Sequence, residues 1–186
     1  NIYSTQRTYD ANGRLTRVIS KIWDGGVWQN NARDTVMYNV DGKPIEERVD
    51  IFNGSSWIPN QRFLVSYDGN QRLFELTGQN WVATQWVNSF KYILAYDGNG
   101  RNAEVINQSW VASAWVNSER QSNTYDTHGN WIEELDQFWA VDQWSNDLLY
   151  TGTYDGNDFL VGTVNQRWQD IAWVNDSRNT YNNDLE

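Results

Sequence analysis

A 29-residue period governs what this sequence can fold into. A Tyr followed by Asp or Asn stands at Tyr9, Tyr38, Tyr67, Tyr96, Tyr125 and Tyr154. Fourteen residues after each comes an aromatic: Trp23, Phe52, Trp81, Trp110, Trp139 and Trp168. Five further on stands a Trp: Trp28, Trp57, Trp86, Trp115, Trp144 and Trp173. Eleven of the 12 tryptophans obey this spacing, and Trp131 is the exception. Self-similarity at a fixed period means one supersecondary unit copied in series, each copy stacking on its neighbours. The array covers 1–184, as six full repeats starting at 9, 38, 67, 96, 125 and 154 after a half repeat at 1–8. A seventh step falls on Asn183-Asp184, where the Tyr is lost. Leu185-Glu186 lies outside the pattern and reads as a cloning scar. Asn1 is in phase with Asn30, so the chain opens mid-repeat, and its start at Asn suggests a mature or excised fragment.

Each repeat reads as two antiparallel strands. Asp97-Gly-Asn-Gly100 has Asp at the first turn position and Gly at the fourth, which suits a type I turn followed by a left-handed glycine bulge. Asp10–Gly13, Asn39–Gly42 and Asp126–Gly129 follow the same scheme. Gln71 and Asp158 replace the last glycine in two copies and predict less ideal turns. Between these turns lie two runs joined by a short link such as VASA or DGGV, without a 3.6-residue apolar period. The expected fold is all-β: an antiparallel meander of tandem hairpins, about 13 strands in one open or spiralling repeat sheet. A closed barrel-like shell is the alternative. Thirteen is odd, so closing an up-and-down meander would force one parallel pair, which favours the open form.

Composition narrows the function. Net charge is −10 and the pI about 4.5, which disfavours binding to nucleic acid. No apolar run approaches the roughly 20 residues of a membrane-spanning helix, so no membrane insertion is expected. The chain has no Cys, hence no disulfide and no thiolate metal site. Aromatics make up 15% of the residues, far from the composition of a disordered acidic chain.

The Tyr-Asp-x-x-Gly turns, as in TYDANGRLT (8–16) and AYDGNGR (95–101), resemble the YD or Rhs-type repeats of bacterial surface and toxin proteins. The Trp-x4-Trp spacing with its 29-residue step looks like a variant found in secreted Bacteroidetes surface proteins. The resemblance spans nearly the whole chain. It implies an extracellular, secreted or cell-surface bacterial hairpin array.

Alternation along the strands places the two Trp of a repeat opposite each other, with a Gln and an Asn beside them on the same face. A Glu row (Glu46, Glu75, Glu104, Glu133) is expected there too. A basic row (Arg33, Arg62, Lys91, Arg120, Arg178) is expected on the other face, paired with acids or gripping an anionic glycan. Two readings of the aromatic face follow. In one, Trp pairs staple hairpins and the amides bond each other. In the other, flat Trp faces stack on the C–H faces of sugar rings while amides read hydroxyls. The candidate ligand-binding residues are Trp81, Trp86, Gln79 and Asn88; Trp110, Trp115, Gln108 and Asn117; and Trp139, Trp144, Gln137 and Asn146. The first function expected is therefore a non-catalytic polysaccharide-binding module. The second is a structural or adhesin scaffold with no small ligand.

No enzyme is expected. Glycoside hydrolysis needs one carboxylate pair at a set separation, and a row that recurs in every repeat supplies no singular pair. His128, the sole histidine, sits in a turn without nucleophile context. One Asp-Gly-Asn-Gly turn gives too few oxygens for calcium. No cofactor or metal is expected, and unpaired sheet edges invite end-to-end self-association.

Overall fold

The computed structural model describes residues 2–182 and contains 13 strands and no helix among them. The readings of Asn1, Asn183-Asp184 and Leu185-Glu186 lie outside the described residues. The strands are β1 (Tyr3–Tyr9), β2 (Leu15–Asp24), β3 (Val27–Tyr38), β4 (Pro44–Phe52), β5 (Trp57–Tyr67), β6 (Leu73–Val82) and β7 (Gln85–Tyr96). They continue as β8 (Asn102–Val111), β9 (Ala114–Tyr125), β10 (Trp131–Ala140), β11 (Gln143–Tyr154), β12 (Leu160–Gln169) and β13 (Ala172–Thr180). Sheet order equals chain order from β1 to β13, so the fold is the open meander and not the closed shell. The residues group into two compact units, Asn1–Lys91 and Tyr92–Glu186.

The Tyr-Asp turns form as their sequence requires. Gly13 N–H donates to Asp10 C=O at 3.0 Å, and Asp10 N–H to Arg14 C=O at 2.9 Å. The fourth turn residue is left-handed, with φ of 77° at Gly13, 82° at Gly42, 84° at Gly100 and 97° at Gly129. Gln71 (63°) and Asp158 (64°) adopt the same conformation without glycine's freedom. Asp10 Oδ1 also accepts the backbone N–H groups of Asn12 and Arg14, each at 2.9 Å. That local turn bond explains the preference for Asp or Asn at this position.

The other turns are tighter than the four-residue link expected. Trp110 faces Trp115, Val111 also pairs with Ala114, and only Ala112 and Ser113 turn. Both have positive φ, 49° and 65°, the signature of a type I′ hairpin turn. Ala83-Thr84, Val141-Asp142 and Asp170-Ile171 do the same without glycine, whereas Gly25-Gly26 meets the demand at no steric cost.

One feature of the strands overturns the expected assignment of faces. Asn107 pairs with Glu119 but Gln108 pairs with Asn117, so Ser118 has no partner. The same extra residue occurs at Asn31, Asn60, Asp147 and Asp176. A β-bulge of this kind resets the side-chain alternation. Ile106 therefore lies opposite Arg120, where uninterrupted alternation puts Glu119. The basic row joins the Trp face instead of the opposite one. A second bulge follows five of the six Tyr-Asp turns, at Thr16, Ile45, Phe74, Ile132 and Val161.

No hydrophobic residue is fully buried among those described. Stability must therefore come from backbone ladders and half-buried side-chain rows on both faces, repeated from hairpin to hairpin.

Candidate functional site

Each unit carries three aromatic pairs at its tight turns. In the first unit, Trp23 and Trp28 have ring centroids 5.3 Å apart, Phe52 and Trp57 5.1 Å, and Trp81 and Trp86 5.0 Å. In the second, Trp110–Trp115 and Trp139–Trp144 stand at 4.9 Å and Trp168–Trp173 at 5.0 Å. All six meet edge to face, with interplanar angles from 60° to 75°. This is the favoured arrangement of two ring quadrupoles, and it adds about 0.5–1.5 kcal/mol per pair beyond area burial. It points each pair's contact surface inward, at its own partner.

The twelve candidate residues come together as the spacing implied, in three groups of two Trp, one Gln and one Asn. Their amides bond one another. Gln79 Nε2 donates to Asn88 Oδ1 at 2.6 Å, Gln108 to Asn117 at 2.8 Å and Gln137 to Asn146 at 2.8 Å. Gln166 and Asn175 repeat the bond at 2.9 Å.

The basic row completes this face, which sequence reasoning missed. Arg62 Nε donates to Gln79 Oε1 at 2.5 Å while its guanidinium lies over Trp86, 4.9 Å from the ring centroid. Arg120 Nε donates to Gln137 Oε1 at 2.8 Å, and its guanidinium covers Trp144 at 4.9 Å. Arg33 covers Trp57 at 4.9 Å. A chain of bonds thus crosses three strands, from Arg120 on β9 through Gln137 on β10 to Asn146 on β11. The signal was present in sequence as a cation 29 residues apart in five of six copies. Only the bulge determines which face it occupies.

The second repeat departs from this scheme. Asp50 replaces the row's Gln, Pro59 the Asn, and Phe52 the first Trp. Asp50 is 1% exposed and is held by Arg33 Nε at 3.0 Å and by Arg48 Nε at 2.7 Å. Burying a carboxylate is costly unless it is paired and hydrogen-bonded, and here two guanidinium groups meet that demand. The pairing with acids expected of the basic row is therefore present here, at Asp50, but on the Trp face. The Glu row contributes Lys91–Glu75 at 3.0 Å and Arg120–Glu104 at 3.7 Å.

The Tyr-Asp turns carry a further linkage. Arg14 Nε bonds Asp10 Oδ2 at 2.7 Å, while its guanidinium sits 4.9 Å from the ring centroid of Tyr38, one repeat on. The Tyr38 hydroxyl donates to Leu15 C=O at 2.8 Å. Asp97, Arg101, Tyr125 and Asn102 repeat the set. Backbone donation by Arg14, and then its side chain, hold the Asp10 carboxyl below the usual range. Asp68 and Asp97 are lowered in the same way by Arg72 and Arg101. At the last two turns, Asn130 and Phe159 stand where the Arg would be. There His128 Nδ1 lies 2.7 Å from Asp158 Oδ1 and Asn130 Nδ2 donates to the same oxygen at 2.8 Å. The hydrogen bond to Asp158 pushes the His128 pKa up, and the same bond holds Asp158 down.

The opposite face of the second unit is acidic. A cleft of about 430 Å³ is lined by Asn107, Glu119, Gln121, Asp136, Phe138 and Asp147, among others. Burial first, and then the charges of Asp147 and Glu119, push the Asp136 carboxyl up. Burial and the Asp136 charge do the same to Glu134. Among the described residues no group of three or more His, Cys, Asp or Glu is placed to hold a metal ion.

Fold and face together define an all-β tandem-hairpin repeat protein whose aromatic edge is braced by cations and amides. No protein-family model matches the chain, and no curated protein is similar to it. Among solved structures it is similar to a Bacteroides fragilis protein of unknown function, at 14% identity and a TM-score of 0.54. That match covers 65% of this chain and 91% of the other, and it shows a shared fold. A DUF3836 family protein from Bacteroides vulgatus (16% identity, TM-score 0.39) is matched over 47% of this chain and 90% of its own. The TcdB2-TccC3-TEV structure (12% identity, TM-score 0.31) is matched over 91% of this chain and 10% of its own. At those scores the last two carry no argument.

Proposed function

We propose that the chain is a non-catalytic hairpin-repeat scaffold of a secreted or surface-displayed bacterial protein, with its aromatic pairs acting as staples. The observation behind this is that the groups a glycan would need are already engaged. Each Gln donates to its neighbouring Asn, each pair closes edge to face, and Arg33, Arg62 and Arg120 lie over Trp57, Trp86 and Trp144. A sugar would have to displace a cation already stacked on the indole and break a satisfied amide bond. The YD-type relationship rests on the Tyr-Asp-x-x-Gly turns and belongs to the same proposal.

The test is a Trp110→Ala, Trp115→Ala double variant, compared with wild type by urea unfolding and by affinity electrophoresis in neutral, uronate and sulfated glycans. The scaffold reading expects a lower urea midpoint and equal mobility of both proteins in every gel. Retardation of wild type that disappears in a folded double variant would replace it with the glycan-binding reading.

That second reading has one observation in its favour, at the ends of the row. Ser4 and Leu149 stand where Arg stands in other repeats, so no cation covers Trp28 or Trp173 among the described residues. Trp23 and Trp28 are also the most open pair, 45% and 44% exposed. If sugars stack anywhere on this edge, Trp28→Ala and Trp173→Ala will weaken binding more than Trp86→Ala.

A further inference from the structure

The last repeat breaks the pattern at one point. On the Trp face, the residue sixteen positions before the basic row is Arg17 in the first copy, Glu46, Glu75, Glu104 and Glu133 in the next four, and then Gly162. In the preceding copy, Thr124, Glu133 and Thr151 stand in one row across β9, β10 and β11. In the last copy the corresponding row is Thr153, Gly162 and Thr180 across β11, β12 and β13. Beside it runs Thr151, Val164 and Arg178. A cleft of about 440 Å³ lies over these two rows, with Tyr181 and Val161 also lining it, and Thr153 Oγ1 stands 2.9 Å from the place a Cβ on Gly162 would take.

Arg178 is left without the acid that its position meets elsewhere. Lys91 pairs with Glu75 and Arg120 with Glu104, each sixteen residues upstream, and sixteen residues upstream of Arg178 is Gly162. Arg178 has no hydrogen-bond or ion-pair partner among the described residues. The Thr151 and Thr180 hydroxyls are likewise unpartnered there. Thr153 Oγ1 donates to Gly162 C=O at 3.3 Å and keeps its lone pairs. The first copy also lacks the acid, but there Arg33 is held by Asp50; only in the last copy does the loss leave a cation unpaired beside uncovered hydroxyls, and that departure argues for a ligand.

We propose that this cleft binds a sugar acid, with Arg178 taking the carboxylate and Thr151, Thr153 and Thr180 the hydroxyls. A guanidinium fork matches a carboxylate in two parallel hydrogen bonds. Threonine hydroxyls both donate and accept, as a sugar hydroxyl requires. Val161, Val164 and Tyr181 supply apolar area for a C–H face. The volume lies within the ordinary range for small-ligand sites, roughly 300–1,000 Å³. The surroundings set the charge of the ligand. From Tyr92 to Glu186 the chain has four Arg, no Lys and fifteen Asp or Glu, so a polyanion is repelled and a singly charged sugar acid is tolerated. The cleft lies apart from the engaged Trp pairs and does not depend on the scaffold reading.

The experiment is a titration of the ¹⁵N-labelled chain at physiological salt with glucuronate, glucose and acetate, followed by NMR. Glucuronate is expected to shift the Gly162, Val164 and Thr180 amides and the Arg178 Nε–H saturably, with glucose and acetate at least about tenfold weaker. R178Q should weaken glucuronate at least about tenfold, the scale of a charge-assisted pair. G162E, which places a carboxylate in the row of Arg178 and a Cβ 2.9 Å from Thr153 Oγ1, should do the same. R167Q, on the other face, should leave affinity unchanged. The absence of saturable shifts at those amides overturns the proposal. So does glucuronate binding that persists in R178Q, or acetate binding as tightly as glucuronate. The last result would reduce the cleft to a bare carboxylate contact.

Discussion

Arg120 and Gln137 stand directly opposite each other on β9 and β10, and the Arg120 Nε donates to Gln137 Oε1 at 2.8 Å. This pairing exists because Ser118, three residues after Trp115, is left over in the ladder with β8. Without that extra residue Glu119 would point to the Trp face and Arg120 away from it. One unpaired residue per hairpin therefore decides whether the aromatic edge is braced by a cation. Removing the guanidinium with Arg120→Leu should lower stability by about 1–2 kcal/mol, the sum of one charge-assisted bond and one exposed cation–π contact. It should also change the Trp144 fluorescence. Urea unfolding monitored at the indole band checks both. Arg167→Leu, outside this network, should leave that emission as it is.

Most of the fold was legible because it depends on residues that announce themselves. Asp10 and Gly13 specify a turn through a side-chain bond and a left-handed backbone, and the Trp110–Trp115 spacing places two rings across one hairpin. The bulges did not announce themselves. Asn31, Asn60, Ser118, Asp147 and Asp176 share no left-handed glycine and no common side chain, so the sequence pattern reads through them as ordinary alternation. The faces of everything beyond them were therefore inverted, including Arg33, Arg62 and Arg120. The site residues on the Trp side of the bulge, such as Gln108 and Asn117, were placed correctly for the same reason.

The tight turns predict a stabilising change. Val141 and Asp142 have φ of 48° and 62°, a conformation that costs an L-residue roughly 1–2 kcal/mol and that a β-branched side chain tolerates least. The Trp139–Trp144 contact and the flanking ladder hold them there. Replacing the two by Asn-Gly keeps the turn and relieves the strain. A gain of about 1 kcal/mol is expected in urea unfolding. The same exchange at Gly25-Gly26, replacing one unstrained glycine by Asn, should gain nothing.

Gly78 predicts the reverse. A Cβ built there would lie 2.3 Å from Phe90 Cε1 and 2.6 Å from Phe90 Cζ. The ring of Phe90 occupies the space over the glycine and tilts against Phe63 at a centroid distance of 6.2 Å. Gly78→Ala should therefore cost about 1–3 kcal/mol by overpacking. Phe90→Leu in the Gly78→Ala background should recover part of it. Additive losses in a double-mutant cycle would mean that the two residues do not share this space.

The carboxyl of Asp136 gives a pH signature. Its folded pKa is raised, by burial first and by the Asp147 and Glu119 charges after it. The folded state thus holds its proton to higher pH than the unfolded chain, and stability falls as pH rises from about 3.8 through the folded pKa. Asp136→Asn removes that penalty. The variant should unfold at higher urea than wild type at pH 7, and the gap should close below the unfolded value. A gap that is constant with pH would assign the gain to packing alone.

His128 and Asp158 titrate in the opposite sense. Hydrogen bonding to Asp158 raises the folded His128 pKa above 6.5, so its contribution is complete below that value and fades as pH rises through the folded pKa. Asp158 is lowered from 3.8 by the same bond, so its contribution is present above 3.8 and fades as pH falls through the lowered value. Between those limits the turn at 126–129 is tied to the turn at 155–158. Arg14 and Tyr38 make the corresponding joint earlier in the chain by a stack of guanidinium on ring. Both side chains are exposed, so the effect is local. After correction for intrinsic exchange, the amides of His128 and Asn130 should be better protected at pH 5.5 than at pH 8.5. The amides of Asn12 and Arg14 should show no such difference. His128→Asn should remove the pH dependence at the first pair, and equal protection at both pH values in wild type would mean that the imidazole carries no part of the joint.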